Sequence, residues 1–182
     1  MYDLVIVGGG PAGIAAGVYA ARKKIKTLLI AKEIGGQSLV SNDIQNWIGT
    51  KSLSGFDLAK NLEDHLRAQE GIEIIDGDLV DKIKKSKDRS FEVVTKNGKI
   101  LESKTVLICS GSHHKKLGVP GEEKLNGKGV VYCSTCDAPL FGGKTVAVVG
   151  AGNAGLEAAR DLFPYASKIY ILVRSENIKG DP

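Results

Sequence analysis

The chain has 182 residues, 42% of them apolar and 25% charged, which is enough apolar mass for a packed core and argues against a disordered or fibrous chain. The net charge of +4 fits phosphate-bearing ligands but is more often a solubility feature, and the densest basic run, Lys82, Lys84, Lys85 and Lys87, lies beside Asp81 and Asp88 and reads as a solvated hairpin, not a nucleic-acid site. No apolar run approaches the roughly 20 residues of a membrane span. Gly8-Gly9-Gly10-Pro11 breaks the apolar N-terminus with no basic region before it, so it does not read as a signal peptide. Three cysteines argue against a secreted disulfide scaffold, and a cytoplasmic location is expected.

In chain order, Asp3 to Val7 suits a buried parallel strand. Ala12 to Lys23 suits an Ala-rich helix, and Thr27 to Ala31 a second strand. Together they make one β-α-β unit. Ser54-Gly55-Phe56-Asp57 reads as a capping box opening a helix. Leu58, Leu62 and Leu66 give that helix a buried face, and Gly71 is expected to end it. Ile72 to Ile75 reads as a third strand. Residues 79–109 alternate more and contain Asn97-Gly98, a two-residue hairpin signal, so a small antiparallel layer is expected there. Thr105 to Cys109 should return to the main sheet. Gly118-Val119-Pro120-Gly121 reads as a linker. A second β-α-β unit follows, with strand Thr145 to Val149, helix Ala154 to Leu162 limited by Pro164, and strand Lys168 to Val173. Two strands and one helix do not complete a nucleotide-binding domain, so a fragment is expected.

Three motifs carry chemistry. Gly8-Gly9-Gly10-Pro11-Ala12-Gly13 is a G-x-G-x-x-G between strand and helix. Its glycines serve a tight turn, close approach of a pyrophosphate, and close helix–strand packing, while the helix N-terminus faces the phosphates. Glu33 stands where an acid would bind a ribose hydroxyl, with Lys32 beside it. A glycine-rich turn without ligand is the alternative. Gly150-Ala151-Gly152-Asn153-Ala154-Gly155 repeats the pattern, and two such motifs point to two dinucleotides, FAD and NAD(P)H. Val173 stands near the end of the second strand, followed by Arg174, with Glu176 two residues later. Arg174 would attract a 2′-phosphate and favour NADPH, unless it is an exposed Arg with no cofactor contact. Cys133-Ser134-Thr135-Cys136-Asp137 is a C-x-x-C whose thiols can close a small disulfide and exchange with another, and Asp137 could move the proton. Half a zinc site with His113 and His114, or two inert buried thiols, are the competing readings. The place of the pair, shortly before the second glycine motif, favours redox chemistry.

With these residues in view, the sequence resembles low-molecular-weight thioredoxin reductases and the flavoprotein subunit of alkyl hydroperoxide reductase. The resemblance rests on VIVGGGPAGIAA at the N-terminus, IGGQ at 34–37, QNWIG at 45–49, GSHHKKLGVPGEE at 111–123, YCSTCDAPLF at 132–141 and VAVVGAGNAGLEAA at 146–159. It implies an α/β protein with two Rossmann-like (three-layer ββα) dinucleotide-binding folds, both incomplete here. Residues 1–115 would be the first segment of an FAD-binding domain, and 116–182 the start of an NAD(P)-binding domain carrying the C-x-x-C. The family's C-terminal FAD segment, which follows the NAD(P) domain, would be absent from these residues.

The resemblance further implies FAD on Gly8, Gly10, Pro11, Ala12 and Gly13, with Gly36, Gln37 and Asn46 near the flavin cofactor. Gly111 matches the glycine of a short A-T-G motif, written here as Cys109-Ser110-Gly111, and Cys109 is read as a buried strand residue. The second cofactor would lie on Gly150, Gly152, Asn153, Ala154 and Gly155. Arg174 and Lys179 keep two basic positions of the family's H-R-R-x-x-x-R pattern, while Ser175 lacks the charge. That keeps NADPH ahead of NADH. Cys136 matches the flavin-side cysteine, Cys133 the one that attacks a partner disulfide, and Asp137 the acid. The implied activity is an NAD(P)H:disulfide oxidoreductase acting on a thioredoxin-like protein, with a domain rotation as a gating step and a homodimer as the assembly. A peroxiredoxin-reducing subunit is the first rival, although that subunit usually carries an extra N-terminal region. A non-catalytic nucleotide-binding module is the second.

Overall fold

The computed structural model describes residues 1–174, 178 and 180. They form two compact units, Met1–Ser112 and a second beginning at His113. In the first unit, β1 (Tyr2–Gly9), α1 (Pro11–Arg22) and β2 (Thr27–Ile34) make a β-α-β unit. Leu4 lies opposite Thr27 and Ile6 opposite Leu29 in a parallel pair. Both faces of β1 are covered. Ile6 packs with Ile14, Val18, Leu29 and Leu66 on one side, and Val5 with Leu28, Ile30 and Val93 on the other. A strand covered twice has no polar face to show, which is why it reads as a continuous apolar run.

Ser54 caps α2 (Gly55–Arg67), its Oγ accepting the Asp57 N–H at 3.0 Å. Leu58 and Leu66 are buried. The helix stops at Arg67, short of the expected Gly71. The Arg67 guanidinium bonds Glu63 on the helix and reaches Asp76, the last residue of β3 (Ile72–Asp76). Residues 68–71 are therefore needed to reverse the chain, and Gly71 (φ 84°) serves that turn rather than the helix end. β3 pairs parallel with β2, Ile72 opposite Thr27.

β4 (Val80–Lys85), β5 (Phe91–Thr95) and β6 (Ile100–Ile108) follow. The antiparallel strands are not a layer apart. They join the parallel strands in one six-stranded sheet of order β3-β2-β1-β6-β5-β4. The cause is the length of β6. Its first residues run antiparallel to β5, with Ile100 opposite Val94. From Ser103 onward it runs parallel to β1, with Ile108 opposite Val7. Buried Asp78 accepts N–H groups from Leu79 and Asn97 at 2.8 and 3.3 Å, which ties the β3–β4 turn to the Asn97-Gly98 hairpin. The basic run lies on and just after β4, exposed, with Lys84 paired to Glu92.

The second unit contains α3 (Glu122–Leu125), α4 (Ser134–Asp137), β7 (Thr145–Val149), α5 (Asn153–Leu162) and β8 (Lys168–Leu172). β7 and β8 pair in parallel, Thr145 opposite Lys168. β8 ends at Leu172, one residue before the expected Val173. Among the described residues no helix is long and apolar enough to cross a membrane.

Leu66 is fully buried and joins α2 to α1, where a Cβ added at Gly17 would lie 2.7 Å from its Cδ1. Leu66→Ala is expected to cost about 2–5 kcal/mol of unfolding free energy, read as a lower urea midpoint with the slope unchanged.

Candidate functional site

The two glycine turns share one geometry. Gly8 (φ 114°) and Gly150 (φ 111°) take a backbone conformation that a side chain would strain. A Cβ at Gly13 would collide with the Gly8 carbonyl oxygen, and one at Gly155 with the Gly150 carbonyl oxygen. The third glycine of each motif therefore lets the helix start directly on the strand end. The middle glycines differ from these. A Cβ at Gly10 would meet only the Gly36 Cα, at 3.9 Å, and one at Gly152 would meet nothing within 4 Å. That open side is where a pyrophosphate would approach the backbone. Neither α1 nor α5 has a side-chain cap bond from the residue that precedes it, so no capping side chain stands between either helix start and an anion. The residues present thus fit a dinucleotide at each turn.

Around the first turn the structure gathers several of the expected residues. Pro11 opens α1, and Gly36 lies against Gly10, since a Cβ at Gly36 would be 2.9 Å from the Gly10 Cα. Glu33 is exposed near the end of β2, its carbonyl oxygen beside Gly9. Gly36 and Gln37 open a short 3-10 turn, Gly36–Val40. Asn46 is exposed in the following loop, and Gly111 (φ 67°) lies in coil beyond β6. Cys109 falls one residue past β6 and is half-buried rather than enclosed in the strand. Its carbonyl is the group against Gly8, and burial pushes its thiol pKa up. It has no disulfide partner among the described residues.

In the second unit Cys133 and Cys136 form a disulfide. Cys133 stands at the N-cap of α4, where its Sγ accepts the Cys136 N–H at 3.2 Å. Cys136 is exposed and Cys133 half-buried. Desolvation pushes the Asp137 carboxyl above its ordinary pKa, which favours its protonated form. Cys133, Gly155 and Ala154 line one largely apolar cavity of about 450 Å³. Arg174 is exposed two residues past β8. Lys179, Ser175 and Glu176, which belong to the proposed nicotinamide-selecting window, lie outside the described residues. Of the two histidines in the competing zinc reading, one is seen in contact. His114 stacks on Tyr132 with centroids 3.6 Å apart, and no group of metal-ligating side chains gathers among the described residues.

Sequence reasoning missed a carboxylate next to this pair. Glu122 is 4% exposed. It accepts the Leu117 and Gly118 N–H groups at 2.7 Å each, and the Tyr132 hydroxyl. It therefore ties the linker to the residue preceding Cys133. The Tyr132 hydroxyl, together with these N–H groups, holds the Glu122 carboxyl down at about 2, and the same bond pushes the Tyr132 phenol up to about 12. The signal available in sequence is the first acid after Pro120-Gly121, in a segment that reads only as linker. A second missed contact runs from the Ser134 hydroxyl to Asp161 at 2.8 Å.

The sequence pattern of the pyridine nucleotide-disulphide oxidoreductases matches residues 2–181. The chain belongs to that family. Over 180 residues it is 42% identical to a Bacillus subtilis protein named NADH dehydrogenase and to a Staphylococcus aureus protein named as a subunit of alkyl hydroperoxide reductase. Each match covers 99% of this chain and 35% of the relative, so the chain spans about a third of the length of these family members. Among solved structures, thioredoxin reductase from Streptococcus pyogenes superposes with a TM-score of 0.88 at 36% identity, over 100% of this chain and 58% of that one. Thioredoxin reductase from Giardia duodenalis gives 0.90 at 28% identity, over 99% and 58%. The fold is the Rossmann-like dinucleotide-binding type, and the Cys133–Cys136 pair fits the family's redox-active disulfide.

The Glu122 contacts set a pH dependence. A carboxyl held below its ordinary pKa stabilises the fold above that ordinary value, and the contribution disappears as pH falls through about 4.5 toward 2. Glu122→Gln should remove that part of the acid-induced loss of stability, measured by circular dichroism between pH 5 and 2. In the same variant the Tyr132 phenol should titrate back toward its ordinary value of 10. Its signal is identified as the tyrosinate absorbance lost on Tyr132→Phe.

Proposed function

We infer that the chain supplies the first cofactor cradle and the redox pair of an FAD-dependent NAD(P)H:disulfide oxidoreductase of the thioredoxin reductase type. The observation that carries this reading is the Cys133–Cys136 disulfide, held in a four-residue turn that shares a cavity with the second glycine turn. Residues Gly8, Gly10, Pro11, Ala12 and Gly13 would hold the pyrophosphate of FAD, with Glu33 on its ribose and Gly36, Gln37, Asn46 and Gly111 bordering the rest. Gly150, Gly152, Asn153, Ala154 and Gly155 would hold the pyridine nucleotide. Bound flavin supplies the two-electron chemistry that connects nicotinamide to the disulfide.

The protein's own groups do the thiol chemistry. In the reduced pair, the Cys136 N–H aimed at Cys133 Sγ favours the thiolate of Cys133. That thiolate attacks one sulfur of a partner disulfide, the partner's S–S bond breaks, and its departing sulfur takes a proton, for which Asp137 is the donor. Cys136 then attacks Cys133 Sγ, its thiol proton passing to the departing partner sulfur. The mixed disulfide breaks, the partner leaves as a dithiol, and Cys133–Cys136 closes again, so two electrons have passed. Thioredoxin-like proteins are the proposed partners, supported by the solved structures named as thioredoxin reductases. The Staphylococcus relative's name supports a peroxiredoxin as the second reading. Exposed Arg174 supports NADPH, whereas the name of the Bacillus relative supports NADH. A homodimer in the cytoplasm completes the proposal, and residues 1–115 and 116–182 are its proposed FAD and NAD(P) domains.

Cys133→Ser should abolish pyridine-nucleotide-dependent reduction of a partner disulfide, by at least about a hundredfold, while flavin absorbance is retained. Retained turnover would overturn the assignment of the attacking sulfur. Arg174→Ala should raise the KM for NADPH while leaving that for NADH unchanged, and an equal effect on both would remove Arg174 from 2′-phosphate recognition.

A further inference from the structure

The turn that carries the cysteine pair is too short to hold itself. α4 has four residues, well below the length at which a helix is stable alone. Besides the S–S bond, its internal bonds are the Cys136 N–H to Cys133 Sγ, the Asp137 N–H to the Cys133 carbonyl at 3.0 Å and the Ala138 N–H to the Ser134 carbonyl. One side chain inside the C-x-x-C reaches out of the turn. The Ser134 hydroxyl donates to Asp161 Oδ2 at 2.8 Å, across 27 residues of sequence.

Asp161 is an odd residue for its own helix. It sits in the last turn of α5, where the helix dipole disfavours a carboxylate. Among the described residues it joins no ion pair. Helix α5 is anchored on both sides of it by buried Ala159 and Leu162, so the carboxylate is presented from a fixed position. An acid kept where local preference opposes it, and bonded to the residue after Cys133, has its reason in that bond.

We propose that Asp161 is a positioning residue that, through the Ser134 hydroxyl, holds the Cys133–Cys136 turn on the helix opened by the second glycine motif and so favours the disulfide over the dithiol. The inference rests on reading the pair as redox-active. With the turn held, each thiol of the reduced pair stays close to the other and the effective concentration for ring closure is high. With the tether cut, the reduced turn is free to open. Closure then costs more conformational entropy, and the disulfide becomes easier to reduce.

The test is equilibration of the 182-residue chain with glutathione buffers of graded ratio. The Cys133 and Cys136 thiols plus one glutathione disulfide exchange for the Cys133–Cys136 disulfide plus two glutathione thiols. The exchange is read by alkylation and intact mass, with Cys109 as the constant third thiol. Ser134→Ala and Asp161→Ala should each lower the constant for disulfide formation about threefold to tenfold, ~15–30 mV toward easier reduction. The double variant should be no worse than either alone. Asp161→Asn keeps an oxygen that accepts from Ser134 and should stay within about twofold of the native value, with circular dichroism confirming that each variant is folded. Unchanged constants in both alanine variants, additive effects, or an Asn variant as impaired as the Ala variant would each overturn the proposal; the last would assign the effect to charge. A native chain whose pair never exchanges with glutathione would overturn the redox reading itself, and the tether with it.

Discussion

The structure depends on two glycines meeting without side chains between them. Where α1 starts, Gly13 lies so close to the Gly8 carbonyl that a methyl group would collide with it, and α5 repeats the contact between Gly155 and Gly150. This contact seats each helix directly on its strand, turns the chain through a positive φ at Gly8 and Gly150, and leaves the middle glycine facing open space. One packing constraint thus serves both the β-α-β fold and the proposed place for a pyrophosphate. The rest of the first unit reinforces it. Ile14 and Val18 of α1 pack on Ile6 and Leu29, so the helix cannot drift from the turn without opening the core.

The second unit repeats the contact beside the cysteine pair. Its glycine turn lies near a disulfide held in a single helical turn, and that turn is secured by carboxylates rather than by a large core. Glu122 fixes Tyr132 on one side of Cys133, and Asp161 fixes Ser134 on the other. Each is a short polar bond in a partly desolvated place, where such bonds are geometrically demanding. A redox pair must change its covalent state without losing its place. Polar tethers to neighbouring residues allow this, because the S–S bond can break while the backbone on either side stays fixed.

What is legible in the sequence is what local chemistry determines. The glycine motifs, the Ser54 cap, the Asn97-Gly98 hairpin and the C-x-x-C each specify a turn from residues a few positions apart, and each turn stands at those residues in the structure. What escapes depends on partners far away in the chain. Gly71 has the look of a helix end, but α2 ends at Arg67 and the positive φ of Gly71 serves the turn into β3. The antiparallel strands look like a separate layer, but β6 is long enough to pair with β5 and then with β1. Cys109 closes an apolar run that suggests burial within a strand, yet it falls just past the strand end, against the first glycine turn. Glu122 and Asp161 have no signature, since an acid in a linker and an acid at a helix end look like surface residues until their hydrogen-bond partners are placed.

The central claim is that each glycine contact builds its own cofactor cradle, and FAD titration tests it most directly. The native chain, Gly13→Ala and Gly155→Ala would be titrated with FAD by flavin fluorescence, with circular dichroism confirming that each remains folded. The account predicts that Gly155→Ala binds FAD as the native chain does, while Gly13→Ala loses at least about tenfold in affinity. FAD binding undiminished in Gly13→Ala, or weakened equally in Gly155→Ala, would contradict it.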